Sequence, residues 1–309
     1  MTKERPRFDA VCFDCDSTLT RIEGIDELAR RVGYAAEIAA LTEAAMNGAV
    51  ALEEVYAKRL DLVRPNRASL AWLAERYTDE MVSGAAETIA TLRRHSKALY
   101  IVTSGLLQAV AGFAHSLGFG PSEVHAVEVH FDATGAYQGF HTSSPLCRSD
   151  GKAIICRKLA ARYGAVAMVG DGVTDLAARA GGAYVVGYGG IVRRDAVIQG
   201  ADCYFDAPSL TATLSALLSE TEQAAYEARN QAMSTVSKLR VRVVDDEIIV
   251  TLPGSRYSVI YYKPENSPQL LAKAIPDTDD LRIAMTVSEF LAKAWRLAND
   301  KAKEVGWIV

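Results

Sequence analysis

Asp14 and Asp16 stand two positions apart at the end of the apolar run Ala10-Val11-Cys12-Phe13, in the segment Asp14-Cys15-Asp16-Ser17-Thr18. A buried strand that closes on two carboxylates delivers both to one edge. That pair suits covalent phosphoryl transfer: one carboxylate attacks phosphorus and the other handles the proton of the leaving oxygen. Taken alone, the same residues also read as a helix cap or a solvated turn.

A second acidic motif narrows the choice. Val169-Gly170-Asp171-Gly172-Val173-Thr174-Asp175 follows the apolar run Ala165 to Met168 and reads as a strand end opening into a helix. Its glycines allow backbone to approach a ligand, and its two carboxylates converge; the plain alternative is a Gly-Asp turn with Asp175 favourably placed on a helix dipole. Carboxylates gathered near a phosphate need a cation between them, and Mg²⁺ is the hard, oxygen-loving ion for that arrangement. Between the motifs lie Ile101-Val102-Thr103-Ser104-Gly105, a strand ending in hydroxyls, and Asp150-Gly151-Lys152 at the start of a helical pattern. A hydroxyl, a lysine and a metal are what an aspartate nucleophile needs to hold a phosphoryl group.

Four such elements in this order resemble the haloacid dehalogenase superfamily. The run Phe13 to Thr18, continued by Glu23-Gly24-Ile25-Asp26-Glu27-Leu28-Ala29, resembles the opening signature of its phosphoserine phosphatase family, and Gly170 to Asp175 the closing one. The resemblance spans residues 8 to 218. It implies Asp14 as nucleophile, Asp16 as general acid and then general base, Thr103 as the hydroxyl on the phosphoryl oxygens and Lys152 as the steadying cation. Mg²⁺ would be held by Asp14, Asp171 and the backbone carbonyl of Asp16, with Asp175 supporting it directly or through a neighbour. Substrate contacts would fall on Glu23, Met46 and Arg59, with Ser104, Gly105 and Thr174 beside the phosphate. Where the family shows Ser-Gly-Gly this chain has Thr103-Ser104-Gly105, so either hydroxyl can serve, and Leu52 stands where an aromatic is common. The implied substrate is a small phosphorylated metabolite, phosphoserine. Its ammonium calls for an anion and its carboxylate for a planar cationic fork, which Glu23 and Arg59 supply. Without the resemblance, Arg59 reads as a residue on a solvated helix face.

Apolar runs alternate with helical patterns from residue 8 to about 218, which argues an α/β fold: a parallel Rossmann-like sheet with helices on both faces. Ligands in such folds lie beyond the carboxyl ends of the strands, where Asp14, Thr103 and Asp171 all fall. Residues 25–78 are strand-free and rich in alanine, leucine and glutamate; they read as three or four helices, with Leu28, Val32, Ile38, Leu41 and Ala45 on an apolar face. A small helical cap inserted there after the first strand would exclude water and add substrate contacts. The expected organisation is a core of residues 1–24 and 79–219, the cap at 25–78, and a C-terminal α+β accessory unit at 220–309. Glu123 to Phe131 and Tyr137 to His141 read as a hairpin around Asp132-Ala133-Thr134-Gly135. In the accessory unit, Glu222 to Leu239 reads as a polar helix. A three-stranded meander then covers Arg240 to Val244, Glu247 to Leu252 and Tyr257 to Lys263. A long loop leads to the capping box Thr286-Val287-Ser288-Glu289 and a last helix. This unit carries no recognisable catalytic constellation; homo-oligomerisation, partner docking and metabolite sensing all stay open for it.

The whole-chain numbers bound the rest. A net charge of −4 over 309 residues argues against nucleic-acid binding, and half of the residues are hydrophobic, as in a globular protein. No apolar segment of signal-peptide length follows the charged Met1 to Arg7, and no run of about 18 apolar residues could span a membrane, so the expectation is a cytoplasmic protein. Five scattered cysteines make no disulfide framework. Cys12 and Cys15 form a C-x-x-C, but across a strand end, where neither a redox pair nor a zinc site is expected. A phosphotransferase of the same fold differs only in its acceptor. A phosphorylated receiver switch would lack Asp16 and the helical insert, and a degenerate fold kept for interaction would have lost a motif residue.

Overall fold

The computed structural model describes residues 8–236, 239–264, 267–280 and 285–308, side chains of 231–236 apart; the opening Met1 to Arg7 and the expected end of the polar helix at Ser237 and Lys238 lie outside them. Ala10, Val11, Cys12 and Phe13 form β1 (Ala10–Phe13), with all four side chains buried. A continuous apolar strand of this kind belongs in the middle of a parallel sheet, covered on both faces. β1 pairs in parallel with β2 (Ala98–Leu106), and β2 with β3 (Val124–Val127). A separate antiparallel pair, β4 (Val129–Phe131) and β5 (Tyr137–Phe140), follows. On the other side of β1 come β6 (Val166–Gly170), β7 (Ala183–Tyr188) and β8 (Cys203–Phe205), all parallel. The order β3-β2-β1-β6-β7-β8 puts the reversal of winding at β1, the switch point where such sheets open a crevice. Phe13 lies beside both Ile101 and Val169, so Asp14 leaves the sheet at that crevice.

Four helices fill the chain between β1 and the next core helix: α1 (Gly24–Val32), α2 (Ala35–Met46), α3 (Leu52–Val63) and α4 (Arg67–Asp79). Leu28, Ile38, Ala45, Leu60 and Leu73 bury their apolar faces. Val32, expected on that face, is 48% exposed, because it is the last residue before the left-handed turn at Gly33 takes the chain off the helix. The core adds α5 (Ala85–Arg94), α6 (Leu107–Ser116), α7 (Gly151–Tyr163) and the short α8 (Val173–Leu176), α9 (Asp195–Gly200) and α10 (Leu214–Leu217). Leu210 to Leu218, whose residue pattern alone reads as one helix, is a 3₁₀ turn followed by α10.

The expected hairpin is divided. Its first arm breaks at Glu128: β3 joins the parallel sheet, and only β4 returns on β5. Alternating apolar residues look alike whichever strand accepts them, so the pattern marks strands without naming partners.

The chain divides into two units between Gln223 and Ala224, a boundary inside α11 (Glu220–Val236). In the second, β9 (Arg240–Val244), β10 (Glu247–Thr251), β11 (Ser258–Tyr262) and β12 (Leu271–Ala274) form one antiparallel sheet, and α12 (Val287–Glu304) packs Phe290, Ala294, Ala298 and Ala302 into its core. The fourth strand lies in the segment expected as a loop. Leu-Ala-Lys-Ala has no strand-like composition, and pairing with β11 overrides it. Thr286 and Glu289 make the expected capping box. No helix among the described residues is long and apolar enough to cross a membrane.

Candidate active site

Asp14 follows β1 directly, its amide bonded to the carbonyl of Val169 on β6 at 2.9 Å. Lys152, on the first turn of α7, lies 2.9 Å from Asp14 Oδ2 and 2.6 Å from Asp175 Oδ1. Gly151 lets this helix start where it does, since a Cβ there would lie 2.1 Å from the Pro145 carbonyl oxygen. Burial acts to lower the Lys152 pKa, but Asp14 and Asp175 outweigh it and the ammonium is held charged. Asp175 also accepts the Gly172 amide at 2.9 Å, and it packs so close to Gly170 that a Cβ there would sit 2.1 Å from its carboxyl carbon. Gly170 is therefore a space that the Asp175 carboxylate fills, whereas a Cβ at Gly172 would meet Met46 Sδ at 3.2 Å.

Asp14, Asp171 and Asp175 each offer an oxygen within 4.8 Å of the others, all three buried. Burial pushes the Asp175 carboxyl up to about 6, against the pull of Lys152, and pushes Asp171 well above the carboxylate range with Glu23 and Asp14 adding to it. Asp171 Oδ1 accepts from Thr18 Oγ1 at 3.2 Å, while Oδ2 is buried without a hydrogen bond. A divalent cation fits this cluster: crowded buried carboxylates, one with an oxygen that no hydrogen bond reaches, are what such an ion relieves. Lys152 and the Gly172 amide engage both Asp175 oxygens, and the Cys15 amide and Lys152 both Asp14 oxygens, so Asp171 offers the freest oxygen of the three and Asp175 also restrains the lysine.

Asp16 sits on the turn after Asp14, ahead of Ser17, whose φ is +52°. Its Oδ1 accepts from the Tyr77 hydroxyl at 2.7 Å and from the Gly24 amide at 2.9 Å. Burial, Glu23 and Asp14 push its carboxyl well up, opposed by those two hydrogen bonds. Glu23 accepts from Ser17 Oγ at 2.7 Å and is pushed up to about 7 by burial, against the hydrogen bond from Ser17 and the charge of Arg194. Arg59, from α3, is buried and donates to Thr42 Oγ1 at 3.2 Å, with its Nε unpartnered. Burial lowers its pKa, yet a guanidinium stays cationic at neutral pH.

One pocket collects these groups. Asp14, Asp16, Lys152 and Asp171 line its floor with Thr103, Ser104, Gly105 and Thr174, and Glu23, Met46 and Arg59 line the side made by the helical insert. Asp175 stands behind Lys152, and Leu52 is buried outside the lining. Thr103 Oγ1 accepts from the Gly105 amide at 3.1 Å, and the Ser104 carbonyl accepts from the Tyr56 hydroxyl at 2.7 Å. Cys12 and Cys15 are buried free thiols, with Cys12 in hydrogen-bond contact with the free Cys156 thiol.

Three residues of the site carry no signal in the sequence. Tyr56 and Tyr77 read as core aromatics on helix faces, and each ends in a hydroxyl that reaches the pocket wall. Arg194 reads as half of a solvated Arg-Arg pair. It is buried, with Nη2 at 3.3 Å from Asp171 Oδ2 and 3.7 Å from Glu23 Oε1.

Comparison with known proteins agrees with this geometry. A model of the haloacid dehalogenase-like hydrolases matches residues 8–182. The chain is 34% identical over 197 residues to the phosphoserine phosphatase of Drosophila melanogaster, covering 63% of this chain and 73% of that one. To the phosphoserine phosphatase of Mus musculus it is 33% identical over 198 residues, covering 63% and 88%. A phosphoserine phosphohydrolase-like protein from Francisella tularensis subsp. tularensis SCHU S4 shares the fold, with a TM-score of 0.62 at 23% identity over 67% of this chain and 99% of that one. With more than half of its length matched, and relatives of that closeness, the chain belongs to the haloacid dehalogenase-like hydrolases and is phosphoserine phosphatase-like.

Proposed function

We propose that the chain is a Mg²⁺-dependent phosphomonoester hydrolase whose substrate is O-phospho-L-serine. The observation that carries this reading is the convergence of Asp14, Lys152 and Asp171 at the switch point with Glu23 and Arg59 across one pocket. The first group suits a phosphoryl oxyanion, the second a zwitterionic amino acid. The curated relatives named above are phosphoserine phosphatases, which supports the same substrate.

In the first half-reaction an Asp14 carboxylate oxygen attacks phosphorus in line. The bond from phosphorus to the serine oxygen breaks, and that oxygen takes a proton from Asp16. In the second half-reaction Asp16 takes a proton from water, whose oxygen attacks the aspartyl-phosphate; the bond to Asp14 breaks and phosphate leaves. Lys152 and the Thr103 hydroxyl stabilise the transferring group throughout. Asp14, Asp171 and the Asp16 carbonyl would hold a divalent ion, which would supply charge neutralisation for the transferring group when bound. Glu23 orients the substrate ammonium, and Arg59 grips its carboxylate. Helices α1–α4 act as a cap over the reaction, with Met46 an apolar wall, and Ser104, Gly105 and Thr174 adjoin the phosphate.

Phosphate release from phospho-L-serine, phosphoethanolamine and phosphoglycolate, with Mg²⁺ and with EDTA, tests this. Metal-dependent preference for phospho-L-serine is the expected result. Equal rates on all three esters would remove the amino-acid reading of Glu23 and Arg59 while keeping the Asp14 chemistry. No release from any of them by folded protein would remove both.

A further inference from the structure

We infer that Tyr77 is a positioning residue, which holds the Asp16 carboxylate in the one orientation that can pass a proton to the leaving oxygen. The inference rests on the role proposed above for Asp16. Both donors that reach this carboxylate act on the same atom: the Tyr77 hydroxyl at 2.7 Å and the Gly24 amide at 2.9 Å, each on Oδ1. An oxygen that accepts from two donors has no room for a proton of its own, so the acid form of Asp16 carries its proton on Oδ2. That second oxygen turns toward the phosphate-side loop, 3.3 Å from where a Cβ on Gly105 would lie. The clamp therefore decides which oxygen is acidic and where it points.

Three further observations make this more than a buried hydroxyl finding an acceptor. Tyr77 is 1% exposed near the end of α4, with its ring 5.8 Å from that of Phe113, so it has little freedom to swing. It also lines the same pocket as Asp14 and Lys152. Gly24 makes the approach geometrically available, since a Cβ at that position would lie 2.0 Å from the Tyr77 oxygen. A helix start that is glycine, the phenol above it and the carboxylate below it form one steric unit. Asp16 is thus placed by residues of α1 and α4, while Asp14 and Lys152 are placed by the sheet and α7.

Substrates of unequal need for an acid separate this role from a structural one. A serine alkoxide must be protonated as it leaves, whereas 4-nitrophenolate leaves without a proton. Full-length wild type and Tyr77→Phe, each with Mg²⁺, are compared by rapid-quench measurement of the first turnover on O-phospho-L-serine and on 4-nitrophenyl phosphate. Loss of the clamp is expected to slow the first turnover on phosphoserine by about 10- to 100-fold, within the range general acids contribute. The loss on the nitrophenyl ester should be at least about tenfold smaller, and KM for phosphoserine should stay near wild type. In an Asp16→Asn background, Tyr77→Phe should add nothing. Equal losses on both esters, no loss on either, or a full further loss in the Asp16→Asn background would each overturn the inference. If Tyr77→Phe does not fold, Gly24→Ala drives the phenol off Asp16 with the tyrosine kept, and the same ratio decides. A wild type inactive on both esters would instead remove the proposed function itself.

Discussion

Residues 8–223 bury Asp14, Arg59, Lys152, Asp171, Asp175 and Arg194 around one pocket, whereas the described residues of 224–308 bury Ile248, Val250, Tyr257, Val259 and Phe290, with Asp280 as the buried charge. The first unit covers both faces of its sheet with helix, the second one face. The first also takes eight charged side chains out of water, those six with Glu27 and Lys97, and each costs several kcal/mol unless it is paired. The ion pairs of Lys152 with Asp14 and Asp175, and of Arg194 with Asp171, offset that cost without improving on an apolar core. Charge kept under those terms marks where chemistry is done, and the second unit keeps almost none.

The comparison breaks soonest at Asp14. Asp14→Asn removes the nucleophile and one metal donor while preserving shape, and turnover should fall by about 10³-fold or more. Release of phosphate at near wild-type rates, with deamidation excluded by mass spectrometry, would mean that the buried charges serve something other than covalent transfer.

Arg59→Lys keeps the charge and removes the planar fork. On phospho-L-serine, kcat/KM should drop by about 10- to 100-fold, with most of the change in KM, because a point charge cannot grip a carboxylate with two hydrogen bonds. On phosphoethanolamine, which has no carboxylate, the same variant should change little. Equal losses on both would place Arg59 among the structural residues of the insert.

Metal and pH sharpen the comparison from the side of stability. In the metal-free fold Asp16 and Asp171 are raised, Asp175 is near 6 and Glu23 near 7. Unfolded carboxyls titrate near 4. Between about pH 4.5 and 7 the folded chain therefore holds protons that the unfolded chain has lost, and this contribution to stability falls as pH rises. A divalent ion competes with those protons, so the gain in Tm from Mg²⁺ over EDTA should grow from pH 5 to pH 7.5. A gain independent of pH, read by differential scanning fluorimetry, would separate the metal from these carboxylates.

Much of this arrangement was legible in the chain, and what was not has a common physical cause. Asp14 and Asp171 announce themselves because each ends an unbroken apolar run, and a polar residue at that position must face a strand end. Lys152 was readable through Asp150-Gly151 at a helix start. Tyr56 and Tyr77 were not, since an aromatic on a helix face packs the core in most contexts and its hydroxyl leaves no periodic trace. Arg194 follows Arg193, and two adjacent arginines look solvated until tertiary structure buries one of them. β12 fails for a related reason: Leu271-Ala272-Lys273-Ala274 becomes a strand through its neighbour β11 and not through its own propensity.

The smallest expected effect on turnover lies in the second unit, and it is the one that tests the contrast from the other direction. Phe290 is fully buried beneath the sheet, with its ring 5.1 Å from that of Tyr257, whose hydroxyl in turn donates to the Met285 carbonyl. Phe290→Ala leaves a cavity at the centre of that core and should cost about 3–5 kcal/mol of its stability. The described lining of the pocket that holds Asp14 runs from Asp14 to Thr174, so phosphate release should stay within about twofold of wild type. Limited proteolysis would read the first effect as faster cleavage within residues 224–308, and steady-state kinetics would read the second. A variant that is cleaved faster and also loses more than about tenfold in kcat/KM would mean that the accessory unit shapes the site at a distance, and the division between a unit that buries charge for chemistry and one that buries chiefly apolar surface would no longer describe this chain.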